Sequence, residues 1–330
     1  MRFFITGGAG FIGGHLAEAL LAEGHSVVIV DDLSTGSKDN LAAVADDPKL
    51  EFIEADILEM DDMAKLLKGV DMVFHLAAAV GVELVVRDPV RTIVTNVHGT
   101  ERVLRAAVEA GGVKTLVAST SEVYGKSDKE SFSETDDLLI GPSTRSRWSY
   151  ACSKLLDEFY AMACMKSHNL PVIVSRFFNT VGPRQTGRYG MVLPRFVAKA
   201  LANEPLLVYG DGTQSRCFCH VLDTVDALLR LAVNGKATGR VFNIGTTRET
   251  SIAGLAELVI ERTGSSSGME LVPYDKAYEA GFEDMLRRVP DTDAIRKLTG
   301  WEPKRSLENI IDDVAKSIEG NNRAAKNQMA

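Results

Sequence analysis

The chain has 330 residues, long for one unit at about 100–200 residues per domain, so two closely joined units are expected. With 45% hydrophobic and 25% charged residues, it has the composition of a globular protein able to bury a large core. A net charge of −8 without a dense Lys/Arg tract argues against nucleic acid or an anionic membrane as partner, and leaves room for a local basic pocket that takes phosphate.

The four cysteines, Cys152, Cys164, Cys217 and Cys219, form neither a Cys-x-x-Cys pair nor a group with spaced histidines, so neither a zinc site nor a disulfide framework is expected. Reduced cysteines, no charged leader and no apolar run long enough to span a bilayer point to a cytoplasmic protein.

Arg2-Phe3-Phe4-Ile5-Thr6 reads as a short buried strand that ends in Gly7-Gly8-Ala9-Gly10-Phe11-Ile12-Gly13. Ile12, Leu16, Ala19 and Leu20 recur at helical spacing, and Ser26-Val27-Val28-Ile29-Val30 is a second strand closed by Asp31. Strand, glycine turn, helix, strand and acid follow in the order of a dinucleotide-binding unit. Gly7 permits the tight turn, Gly10 lets backbone approach a pyrophosphate, and Gly13 lets the helix pack on the strand. The helix N-terminus offers N–H groups and a positive dipole to phosphate. Asp31 can accept from both adenosine ribose hydroxyls, and its charge repels a 2′-phosphate, which favours NAD over NADP. A glycine triplet alone is often only a turn; the flanking strand, helix and acid carry the reading.

The alternation continues. Leu50 to Ala55 is a strand ending at Asp56-Ile57, a corner suited to adenine. Asp71 to His75 is another, followed by Leu76-Ala77-Ala78-Ala79, small enough for backbone to lie against a cofactor. A packed strand-end histidine accounts for His75, which is given no role. Residues 91–110 form an amphipathic helix carrying Asn96, which is either tolerated in the helix interior or braces backbone near the site. Val113 to Ser119 is the next strand, and its C-terminal end presents Thr120, Ser121 and Glu122 where open parallel sheets bind ligands. After a loop from Lys126 to Arg147, a helix from Trp148 to Lys166 sets Tyr150 and Lys154 on one face. Val172 to Ser175 is a strand, Asp223 to Val233 a helix, and Arg240 to Gly245 a short strand.

Tyrosine ionises near pH 10 and is a poor base at neutrality. A lysine ammonium four residues away and an oxidised nicotinamide ring both favour the phenolate. The phenolate can take the proton of a sugar hydroxyl while the carbon's hydride departs, and Thr120 can orient that hydroxyl. Tyr-x-x-x-Lys alone recurs by chance on helices. Its place one strand–helix step after Thr120, downstream of a full nucleotide unit, raises it well above chance.

From Arg2 to about Glu319 the chain resembles an extended short-chain dehydrogenase/reductase of the NAD-dependent epimerase/dehydratase family. The matching motifs are Thr6 to Gly13 with its Gly-x-x-Gly-x-x-Gly spacing, Asp31-Asp32-Leu33-Ser34-Thr35-Gly36, His75-Leu76-Ala77-Ala78 and Tyr150-x-x-x-Lys154. Arg176-Phe177-Phe178-Asn179, Gly182-Pro183-Arg184 and the run from Tyr209 to Arg216 match as well. The resemblance implies an α/β fold, a Rossmann-type doubly wound parallel sheet with a smaller C-terminal α/β substrate-binding domain. Residues 1–176 plus about 217–246 would bind NAD, and 177–216 plus about 247–320 a nucleotide sugar. The polar residues 321–330 are expected to be a disordered tail.

By the same resemblance Gly7, Gly10, Phe11, Ile12, Gly13, the run from Asp31 to Gly36, Asp56, Ile57, Leu76, Ala77, Ala78, Asn96, Tyr150 and Lys154 touch the cofactor. Asn179 and Arg216 would hold the diphosphate of a UDP-sugar, Arg184 and Tyr209 would line the pocket, and Arg288 is a second phosphate candidate. Val192, Leu193 and Phe196 would wall the base, although core packing explains such residues equally well. Family members pair through the two long helices into a four-helix bundle, so a homodimer is expected.

Transient oxidation at sugar C4 serves several outcomes. A 4,6-dehydratase carries Asp-Glu after the threonine, where this chain has Ser121-Glu122. A 4-epimerase needs room for the keto sugar to turn over, and Glu122 fits that poorly. A UDP-glucuronate decarboxylase fits better: Ser121 helps bind the carboxylate, Glu122 serves the later protonation, and Arg216 is a candidate acid. Gly81-Val82-Glu83 departs from the decarboxylase pattern. Decarboxylase is therefore the first reading and 4-epimerase the second. A non-catalytic NAD-binding relative is disfavoured by the intact Thr120, Tyr150 and Lys154.

Overall fold

The computed structural model describes residues 1–81, 88–187, 191–277, 285 and 287–329; Val82 and Glu83 lie outside them. Seven strands form one sheet: β1 (Arg2–Thr6), β2 (Ser26–Asp31), β3 (Leu50–Glu54), β4 (Met72–His75), β5 (Lys114–Thr120), β6 (Val172–Phe177) and, further along the chain, β11 (Arg240–Ile244). Their order is β11-β6-β5-β4-β1-β2-β3, and every pairing is parallel. This is the doubly wound arrangement, with its order reversing beside β1.

Neighbouring residues of each strand enter opposite cores, as period-2 side chains must. Phe3, Ile5, Val27, Ile29 and Phe74 join one cluster, together with Leu16 and Leu20 of helix α1 (Phe11–Ala22). Phe4, Val28, Val30, Val73 and Val117 join the other, with Val103 and Leu104 of α2 (Pro89–Glu109) and Ala161 of α3 (Trp148–His168). Burial on both faces explains why these strands read as unbroken apolar runs. Asp88 caps α2, with its side chain accepting from Arg91 N, and Pro89 opens the helix.

The intervening strands are short: β7 (Thr180–Val181), β8 (Leu206–Tyr209), β9 (Ser215–Cys217) and β10 (Cys219–His220), with β12 (Glu249–Ser251) and β13 (Met269–Val272) after β11. A third cluster draws on α4 (Val192–Leu201), through Leu193 and Phe196, and on Phe218. Helix α5 (Val221–Val233) returns to the sheet, where Leu228 joins the first cluster. Helix α6 (Ile252–Thr263) adds Leu255 to the third cluster.

Two differences from the sequence reading stand out. Helix α7 (Asp293–Thr299) and Trp301, expected with the sugar-binding residues, pack on the sheet instead: Ile295 and Trp301 lie in the first cluster, and Trp301 Nε1 donates to Asp223 O at 2.9 Å. The last helix, α8 (Leu307–Met329), adds Ile310 and Ile311 to the third cluster and carries on through most of the expected disordered tail. That tail is rich in Ala, Lys, Gln and Asn and holds no proline, so nothing in it stops a helix already begun. Among the described residues no helix is long and apolar enough to cross a membrane.

Candidate active site

The C-terminal ends of β1 and β2 form a cradle that only bare backbone can fill. Gly7 has φ +71°, and a Cβ there would sit 2.7 Å from Ala77 N; a Cβ on Gly13 would sit 2.2 Å from Gly7 O. Helix α1 begins at Gly10 with no side chain capping it, so its first N–H groups face the cradle. Asp31 holds the surrounding loops: its Oδ2 accepts from Ala9 N at 2.9 Å and its Oδ1 from Leu33 N at 2.8 Å. Each oxygen keeps a lone pair for a ribose hydroxyl. Asp32 is exposed and binds Ser34, Gly36 packs against Ala9, and Thr35 is exposed. Asp56 accepts from Leu58 N at 2.8 Å, while Ile57 is buried beneath Gly99.

Asn96 does brace backbone. Its Oδ1 accepts from Ala79 N at 2.8 Å, and its Nδ2 donates to Ser153 Oγ at 3.0 Å, which ties the 76–79 loop to α3. Leu76, Ala77 and Ala78 run along the edge of the cradle, where Ala77 N donates to Thr6 Oγ1. The uncapped helix, the glycine cradle and the strand-end acid fit a dinucleotide.

Beyond the cradle opens a cavity of about 340 Å³, reached by Phe11, Ile12, Thr120, Ser121, Glu122 and Tyr150 from the sheet side. Asn179, Val192, Leu193, Tyr209, Arg216 and Arg288 reach it from the other side. Thr120 ends β5, and its Oγ1 accepts from Glu122 N at 3.3 Å, which turns the chain so that Ser121 and Glu122 follow at the cavity wall. The Tyr150 phenol shares a hydrogen bond with Thr120. Burial pushes that phenol above its ordinary range, and the Glu122 and Asp157 carboxylates add to the effect; the Thr120 hydrogen bond and Arg288 oppose it.

Lys154, expected to draw the phenol down, is instead paired with Asp157 at 2.7 Å, with both side chains buried. Behind this pair His75 bonds Thr6 Oγ1 at 2.7 Å through Nδ1 and Thr100 Oγ1 at 3.0 Å through Nε2. Burial, and then the Lys154 charge, lower its pKa to about 3, so the imidazole is neutral.

Arg184 and Arg288 have partners that the sequence did not show. Arg184 is absent from the cavity wall: its guanidinium binds Glu18 of α1 and donates to Asn40 O at 2.7 Å, fastening the second half of the chain to the cradle. Arg288, expected on a phosphate, lies 3.2 Å from Glu122 Oε1. Arg216 donates to Ser215 O at 2.7 Å on the Tyr209 side of the cavity, and Asn179 donates to Cys217 O at 3.0 Å.

Sequence reasoning assigned no role to Arg147 or Arg195. Arg147 is buried at the start of α3, 4.0 Å from Glu122. Arg195 donates to Tyr209 OH at 3.1 Å and lies over that ring at 4.7 Å. The advance signal for Arg147 was the run Arg147-Trp148-Ser149-Tyr150, which resembles decarboxylase versions of the fold but assigns the arginine no task. Among the described residues, the charged side chains of the wall are four arginines and Glu122, an excess of three positive charges in an acidic protein. Among the described residues no three His, Cys, Asp or Glu side chains gather as a metal site would require.

A family model described as GDP-mannose 4,6 dehydratase matches residues 4–314. The chain is 43% identical to a UDP-N-acetyl-alpha-D-glucosaminuronate decarboxylase of Bacillus cytotoxicus, over 94% of this chain and 96% of that protein. It is 37% identical to UDP-glucuronic acid decarboxylase 2 of Arabidopsis thaliana, over 93% of this chain and 66% of that one. The solved structure of UDP-glucuronic acid 4-epimerase from Bacillus cereus, in complex with UDP-glucuronic acid and NAD, matches with a TM-score of 0.87 at 28% identity, covering 97% of this chain and 100% of the other. The chain belongs to the extended short-chain dehydrogenase/reductase family of NAD-dependent nucleotide-sugar epimerases, dehydratases and decarboxylases.

Proposed function

We propose that this enzyme is a UDP-uronate decarboxylase, with UDP-glucuronate as its substrate and a UDP-pentose as its product. The supporting observation is Glu122 set between Arg288, at 3.2 Å, and Arg147, at 4.0 Å, in the cavity that Tyr150 lines. Three excess positive charges suit a ligand with two charges on its diphosphate and a third on a sugar carboxylate.

NAD held in the cradle of Gly7, Gly10, Gly13 and Asp31 would supply a reversible hydride acceptor for C4. Tyr150 takes the O4 proton as the C4–H bond breaks, and Thr120 orients the same oxygen. The resulting ketone is β to the C6 carboxylate. The C5–C6 bond breaks, its electron pair passes into a C4–C5 enolate, and C6 leaves as carbon dioxide. Arg147, Arg288 and Ser121 hold the carboxylate until it leaves, and Glu122 holds the water that protonates C5. Reduction of C4, with the O4 proton restored by Tyr150, closes a redox-neutral cycle.

A uronate 4-epimerase is the second reading, favoured by the ligand named for the Bacillus cereus structure. Incubation with UDP-glucuronate followed by proton NMR separates the two. A UDP-pentose supports decarboxylation; a new hexuronate without pentose installs the epimerase.

The same reading includes a homodimer through α2 and α3, which pack together. Val90 is 70% exposed and Phe159 66%, and Ile93, Val94 and Leu156 extend the apolar strip at helical spacing. Two copies of this strip would complete a four-helix bundle.

A further inference from the structure

Asn243 sits near the end of β11, fully buried in a strand that otherwise turns apolar residues inward. A buried amide is costly unless it is hydrogen-bonded. All of its side-chain bonds reach distant segments. Oδ1 accepts from Tyr124 OH at 2.8 Å, and Nδ2 donates to Phe132 O at 2.8 Å and to Asp291 O at 3.1 Å. Its backbone N–H donates to Glu134 Oε1 at 2.8 Å.

These partners flank the two charged groups that the proposed reaction uses after oxidation. Tyr124 closes the Ser121–Tyr124 turn that carries Glu122. Phe132 N donates to Val289 O and Asp291 N to Phe132 O, both at 2.8 Å, so the chain just after Arg288 is stitched to the 132 segment. One amide thus grips the turn bearing Glu122 and the segment bearing Arg288, which lie 166 residues apart in sequence.

We propose that Asn243 is a positioning residue that sets the Glu122–Arg288 pair against the keto sugar. This inference rests on the decarboxylase reading and adds to it the strand-end amide that assembles its second step. Oxidation at C4 depends on Thr120 and Tyr150, which β5 and α3 hold without Asn243. Loss of the amide should therefore slow the second step far more than the first, which feels Glu122 and Arg288 only as charges beside the Tyr150 phenol. A misplacement of about 1 Å costs about 10²-fold in rate.

The test uses the full chain loaded with NAD. Stopped-flow absorbance of reduced nicotinamide reports C4 oxidation, NMR of quenched samples reports pentose, and calorimetry with UDP reports binding. For Asn243→Ala the expected result is oxidation within about threefold of the parent, pentose release slower by about 10²-fold, accumulated reduced cofactor and unchanged UDP affinity. Equal slowing of both phases, or of neither, overturns the inference while leaving the decarboxylase standing. Absence of pentose from the parent protein overturns the decarboxylase and the inference with it. Should Asn243→Ala fail to fold, Tyr124→Phe removes one of the amide's bonds and keeps the ring stacked on Phe132 at 4.7 Å. The same split at about tenfold is then expected, and equal slowing or none overturns the inference.

Discussion

The buried pair Lys154–Asp157 gives the sharpest stability prediction. The charged atoms are 2.7 Å apart, and the side chains are 3% and 1% exposed. Lys154→Met keeps the length of the side chain and strands the carboxylate, whose pKa burial already holds above the ordinary range. Removing one partner of such a pair costs about 3–5 kcal/mol, whereas exchanging both for apolar residues of like volume is near neutral. Lys154→Met should therefore lose about 3–5 kcal/mol, and the double variant Lys154→Met/Asp157→Leu should return to within about 2 kcal/mol of the parent, the remainder reflecting the Thr100 contact of Asp157. Denaturant midpoints of the four proteins, measured without ligand, complete the cycle. Turnover should stay absent in the double variant, because the family resemblance assigns Lys154 to the cofactor. Additive losses, or a single-variant loss below about 1 kcal/mol, would refute the reasoning.

Three further expectations follow from the site and its surroundings. His75 and His15 have pKa values lowered by burial to about 3 and about 4, so below pH 6.5 the unfolded chain takes protons that the folded chain refuses. Stability should be full above pH 6.5 and fall by about 1.4 kcal/mol per pH unit for each histidine as pH drops towards those values; His15→Gln should flatten the slope of denaturation midpoint against pH. The raised pKa of Tyr150 makes C4 oxidation accelerate as pH rises through neutrality, and Glu122→Gln removes a charge that raises it. The rate–pH curve of cofactor reduction should then move to lower pH while carbon dioxide release is lost, and an unmoved curve would deny the electrostatic link. Phe159→Asp should convert a dimer to monomers in light scattering at micromolar protein, whereas a monomeric parent would remove the proposed interface.

The sheet was legible because its signals are local. A glycine turn, an uncapped helix start and apolar runs of strand length each lie within a few residues, and doubly wound topology follows from their alternation. Thr120, Tyr150 and Lys154 were legible for the same reason, each standing at the end of a strand or one turn apart on a helix. The partners of Glu122 were not, because Arg288 reaches it through a segment held by Asn243 and Phe132, contacts with no sequence periodicity. Arg184 was expected in the pocket because its motif lies beside other pocket residues, while its guanidinium reaches Glu18 on α1. Lys154 does stand on the helix one turn after Tyr150, but its neutralising partner was missed, although Asp157 is only three residues further on. An acid at that spacing on a helix commonly meets solvent, and only the packing of α3 on the sheet shows that it is buried.

The central claim is that C4 is oxidised and reduced again around the loss of C6. UDP-glucuronate carrying deuterium at C4 and carbon-13 at C6 tests it in one NMR experiment. The account predicts a UDP-pentose that retains deuterium at C4, with the carbon-13 appearing as carbon dioxide and bicarbonate. Carbon-13 remaining in a hexuronate, or pentose with C4 deuterium exchanged for solvent hydrogen, would contradict it.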